Sequence, residues 1–131
     1  VATFIAAEAI AANDAVSLDL AQAIDGDKAL KVMKADTGTA TDKCFVGVAL
    51  EAAAVGARID VCIAGICEAN VAGTTAAGSV LQIGSTAGRL DVRTTAVNEG
   101  GAATFNLFPV CGIASEADTA NVATIFVFKQ F

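Results

Sequence analysis

Apolar and polar residues alternate in short runs along most of this chain. In Arg58-Ile59-Asp60-Val61-Cys62-Ile63, the residues Ile59, Val61 and Ile63 fall on one face and Arg58, Asp60 and Cys62 on the other. A period of two is the mark of a half-buried strand. Leu90 and Val92 alternate in the same way with Arg89, Asp91 and Arg93. Turn chemistry separates the runs: Asp25-Gly26, the Gly84 and Gly88 pair around Ser-Thr-Ala, and Glu99-Gly100-Gly101. The pattern predicts a mainly β chain with short helical turns.

Three segments carry two readings each. Residues 3–13 are good helix formers, but they are apolar nearly all round and have no clear cap, so a helix and an extended arm both fit. Residues 50–56 suit one helical turn or a β-bend. In residues 123–131, Ile125 and Val127 point one way while Thr124, Phe126 and Phe128 point the other, so apolar groups occupy both faces. Such a strand is either sandwiched inside the domain or covered on one side by another subunit.

The stretch from Gly47, GVALEAAAVGARIDVCI, repeats in outline from Gly112, GIASEADTANVATIFVF. Gly47 matches Gly112, Val48 matches Ile113, Ala49 matches Ala114 and Glu51 matches Glu116; with one residue inserted, Ile59 and Val61 meet Ile125 and Val127. Further back, Ala15-Val16-Ser17-Leu18 corresponds more loosely to Ser79-Val80-Leu81-Gln82. The expected organisation is an N-terminal arm over residues 1–12 and a single β domain over 13–131. Two pseudo-repeats, at approximately 15–65 and 78–129, share one core because neither unit is large enough to fold alone.

Composition narrows the chemistry. About thirty of the 131 residues are alanine and twelve are glycine, so the core must be thin and closely packed, with seven Phe and no Trp or Tyr to anchor it. The apolar runs are interrupted too often to cross a membrane, and the opening residues, with Glu8 and Asp14, do not read as a signal peptide. A net charge of −6, with scattered basic residues, repels a phosphate backbone and argues against direct binding of nucleic acid.

With no histidine, the commonest general base, most zinc chemistry and the Ser-His-Asp and Cys-His triads are missing. Asp25 and Asp27 form the densest acidic pair but lack the further oxygen ligands of a calcium loop, so they read as a solvated turn. Glu51 and Glu116 fit acceptors of backbone N–H groups at turns. Cys44, Cys62, Cys67 and Cys111 read as buried free thiols, with a disulfide as the alternative; Cys44 or Cys111 as a nucleophile would need a basic partner, and Lys43 points to the opposite strand face. No catalytic, cofactor-binding or metal-binding residue is expected, and no enzyme.

The run from Val46 to Val61, VGVALEAAAVGARIDV, preceded by a Gly/Thr/Asp loop and echoed at 111–127, resembles the small head decoration, or cement, proteins of tailed bacteriophages. The resemblance covers residues 15–63 well and the rest through the repeat; the segment from Asp14 to Ala35 and the four cysteines depart from the usual pattern. It implies a small β-barrel or β-tulip-like domain, a homotrimer, bound to major capsid protein on the outer surface of the phage head and bridging its subunits. On that basis Val1, Thr3, Phe4, Ile5 and Ile10 would lie against the capsid, and Phe126, Phe128 and Phe131 would sit at the subunit junction. A head fibre or tail-associated protein involved in host attachment is the main alternative, although an attachment tip would want exposed Tyr or Trp, which are absent. A self-assembling shell subunit and an enzyme are the weaker rivals.

Overall fold

A computed structural model describes residues 1–37, 44–93 and 110–130. Among these residues the strands are β1 (Ala2–Ala6), β2 (Ala15–Leu18), β3 (Lys31–Lys34), β4 (Phe45–Ala49), β5 (Arg58–Cys62), β6 (Gly65–Asn70), β7 (Val80–Ile83), β8 (Leu90–Val92), β9 (Gly112–Ala114) and β10 (Val122–Val127). One helical turn, α1 (Asp25–Lys28), joins β2 to β3. The mainly β expectation with short helical turns matches what is found.

The first five strands close a barrel in the order β1-β3-β2-β4-β5, with β5 returning to β1. The last five form a sheet in the order β6-β10-β9-β7-β8. Adding five to each strand number of the first barrel reproduces the neighbours of the second sheet. Even the closing contact has a counterpart: β1 runs parallel to β3 through Ala6 and Val32, and the free edges of the second sheet meet in a parallel bridge between Val71 and Leu90.

The residues expected to stand outside the domain as an arm instead open it. Residues 2–6 are extended and paired on both sides, with Phe4 opposite Ile59 and Ile5 beside Lys31, and Ile10 bridges Ala53. Pairing resolves the ambiguity of this segment, because a strand there satisfies backbone groups and seats Ala6 and Ile10 in the core. The link over 50–56 is a bend without a helix, tied to the chain start by Ala53 N–H donating to Ile10 O and Gly56 N–H to Ala6 O.

Strand pairing also corrects the alignment of the two units. Val16 lies opposite Gly47 and Leu81 opposite Gly112, so Val16 corresponds to Leu81, one residue away from the sequence match. Cys62 lies opposite Val48 and Phe126 opposite Ile113, so Ile59 corresponds to Ala123 and Val61 to Ile125. A one-residue slip matters because it would exchange core and outer faces.

Gly47 and Gly112 occupy the same place in both units. A Cβ on Gly47 would lie 2.1 Å from the carbonyl oxygen of Cys62, and one on Gly112 would lie 2.1 Å from that of Phe126. At Gly47 the register of β4 against β2 shifts by one residue. Through this irregularity Val46 and Ala49 face the barrel interior while Phe45 and Val48 face outward, and all four are buried. The interior of the first barrel is small and aliphatic: Ala6, Val16, Val32, Val46, Ile59 and Val61 fill it.

Gly47→Ala and Gly112→Ala should each cost roughly 3 kcal/mol in urea unfolding, since the added methyl meets backbone rather than a movable side chain. Gly26→Ala, with nothing within 4 Å of its Cβ position, should change stability little. At the tight turn before β10, Ala120 and Asn121 both hold positive φ, 51° and 64°, between the bridged Thr119 and Val122. Ala120→Gly relieves the left-handed strain of a Cβ and should raise stability by about 1 kcal/mol, measured in the same assay.

Candidate interaction surface

The units meet through the outward row of the first barrel. Ala15, Val48 and Cys62, in register across β2, β4 and β5, pack with Ala35 and Phe45 into the same core as Val71, Leu81, Ile83, Leu90 and Ile125 of the second unit. Backbone bonds stitch the seam: Ala15 N–H donates to Gly88 O at 2.8 Å, Gly88 N–H to Ala35 O at 3.0 Å and Asn70 N–H to Asn13 O at 2.8 Å. The buried carboxylate of Asp14 accepts from Asn70 Nδ2 at 2.9 Å and from Ala11 N–H at 2.9 Å.

Candidate chemistry is dispersed over this frame. Among the described residues no group of three or more Cys, Asp or Glu is placed to hold a metal ion, and no helix is long and apolar enough to cross a membrane. Asp25 and Asp27 sit on α1 and pair with Lys28 at 2.8 Å and Lys31 at 3.4 Å. Glu116 accepts the backbone N–H of Thr124 at 3.2 Å and its hydroxyl at 2.8 Å, the turn role its position suggested, while Glu51 is exposed.

The four cysteines form no disulfide; Cys62, Cys67 and Cys111 are buried and Cys44 is half-buried. Lys43 lies outside the described residues. Burial pushes the Cys111 thiol up to about 12, against smaller lowering effects from the Ile83 backbone and the Arg93 charge. Burial also raises Cys67, reinforced by the neighbouring Cys62 thiol and then by Glu68. Thiols held neutral in this way are poor nucleophiles.

The expected contact residues divide. Thr3 and Ile5 point away from the first barrel, Thr3 donating its hydroxyl to Asp60 at 2.7 Å, and Val1 is exposed. Phe4 packs against the barrel core and Ile10, 3% exposed, lies within it, so the five residues do not form one outward surface.

At the other end, Ile125 and Val127 face inward whereas Phe126 and Phe128 remain 44% and 40% exposed, so the final strand is covered on one face only. Phe131 lies outside the described residues. Phe126 pairs with Ile66 on one side and Ile113 on the other, and Ile113 pairs with Val80, giving an apolar row across four strands. Sequence reasoning found Phe126 and missed Ile66, Ile113 and Val80. Alternation in GICEAN places Ile66 outward, but only the ladder sets it beside Phe126.

No protein-family model matches this sequence. No curated protein matches it either. Among solved structures, the fold is similar to that of the head fiber gp8.5 N base in bacteriophage phi29, with a TM-score of 0.63 and 15% sequence identity over 97% of this chain and 92% of that one.

The thiols set a pH dependence. On unfolding, Cys111 returns from about 12 toward 9.0, so between these values the unfolded chain binds fewer protons than the folded one. Stability is therefore unaffected by this group below the lower value and falls as pH rises above it, by up to about 1.4 kcal/mol per pH unit. Urea midpoints measured under reductant from neutral to alkaline pH should decline more steeply for the wild type than for Cys111→Ala; equal slopes would refute this account.

Proposed function

We propose that this chain is a non-enzymatic structural protein of a tailed-bacteriophage virion, located on the outer surface of the head. The observation that carries the reading is the similarity, over 97% of the chain, to the base of a phage head fibre. Two tightly joined β units, with buried thiols and an apolar row left on the surface, suit a protein whose work is to pack against other protein.

In its first form the protein is a cement. As a homotrimer it bridges neighbouring subunits of the major capsid protein and binds only their assembled arrangement. Anything that binds one state alone stabilises that state, by about 2.7 kcal/mol when its free concentration is a hundred times Kd. Repetition over many lattice positions makes modest contacts collectively strong. The net charge of −6 supports a protein partner over the packaged nucleic acid, and the reading needs no membrane and no cofactor. In its second form, favoured by the fibre-base likeness itself, the same domain anchors a head fibre or other attachment structure and adds little to shell strength.

Co-sedimentation with purified heads lacking this protein separates the possibilities. The reading expects saturable binding at a fixed number of copies per head. A rise in the temperature at which the loaded heads release DNA identifies the cement form; binding without that rise identifies the anchor form. A folded chain that never sediments with heads removes the proposal.

A further inference from the structure

The two units are built alike but surrounded differently. In the first, the outward row Ala15, Val48 and Cys62 is fully used against the core of the second unit. Strand pairing makes Val80, Ile113 and Phe126 the corresponding residues, and Ile66 extends their row on β6. The row is solvent-exposed at its β6 and β10 end: Ile66 is 64% exposed, Phe126 44%, and Phe128 on the same face 40%, while Ile113 and Val80 are half-buried.

The receiving side can be located by the same correspondence. The second unit receives the first through β6 and the loop between β7 and β8, which supply Asn70, Gly84 and Gly88 to the bonds across the seam. Their counterparts in the first unit are β1 and the link between β2 and β3. That link carries Leu20, Ile24 and Leu30, exposed at 42%, 65% and 51%. Among the described residues, six of the ten exposed large apolar side chains thus lie on these two faces, the donating row and the receiving link.

We infer that the row of Ile66, Phe126, Ile113 and Val80 docks onto β1 and the 19–30 link of a second copy of this chain, in the sense in which the first unit docks onto the second within one chain. A row-to-row contact is disfavoured by charge. Glu68 stands opposite Thr124, which also holds Glu116, so two carboxylates border the row and would face their own copies. A head-to-tail contact joins different surfaces, and it closes into a ring or runs on as an open chain according to the rotation between copies. The inference concerns contacts between copies and does not rest on attachment to a phage head.

Light scattering on the purified chain, in the absence of heads, tests it with two exposed double variants: Ile66→Ser with Phe126→Ser, and Leu20→Ser with Ile24→Ser. The wild type should assemble, and each variant alone should weaken assembly by more than about tenfold. An equimolar mixture of the two should give a dimer and nothing larger, since one intact row and one intact link remain to meet. Recovery of that dimer also shows that both variants are folded. A wild type monomeric at every accessible concentration overturns the inference, as does a link variant that assembles normally or a mixture that stays monomeric.

Discussion

The core of the second unit is completed by side chains that the first unit turns outward, and most of the architecture depends on that shared burial. Val48 and Phe45 can serve it only because β4 shifts register at Gly47, where the backbone runs against the Cys62 carbonyl with no room for a side chain. Without the irregularity, strict alternation would place Val46 and Val48 on the same face. The barrel would then lose either an inward or an outward contact. One glycine therefore couples the filling of the barrel to the packing of the neighbouring sheet.

The seam explains the composition as well. Ala15, Ala35 and Cys62 are small and Val48 is modest, so two sheets approach closely enough for backbone groups of the first unit to reach Gly88, Gly84 and Asn70 of the second. Small side chains bury little area each, and an alanine-rich chain compensates by packing at short range. Asp14 adds a charged acceptor at the edge of the seam, satisfied by Asn70 and by the Ala11 backbone, and so is buried without being left unpaired. The corresponding outer row in the second unit carries the larger Ile66, Ile113 and Phe126, with Ile66 and Phe126 exposed and Ile113 half-buried. The two similar units thus differ in whether this row is packed against the other unit.

The Cys67 and Cys111 thiols are desolvated, the acidic pair on α1 is engaged with lysines, and Glu116 is committed to a turn. The described surface is apolar on two faces and acidic beside one of them. Physical association is the role proposed for such a surface.

Much of this was legible in the order of residues. Period-two alternation marked the strands around Ile59 and Leu90, the Gly47 and Gly112 match marked equivalent positions, and the absence of histidine narrowed the chemistry. These are local properties, set by side-chain polarity and backbone sterics within a few residues. Three features were not local. Residues 2–6 became a strand because β3 and β5 offered them partners, the alignment of Val16 with Leu81 was decided by the ladder, and the row joining Ile66 to Val80 exists only once four separate strands lie side by side. A sequence specifies which faces are apolar; which of those faces is covered depends on what the folded chain brings against them, and that is a property of tertiary contact.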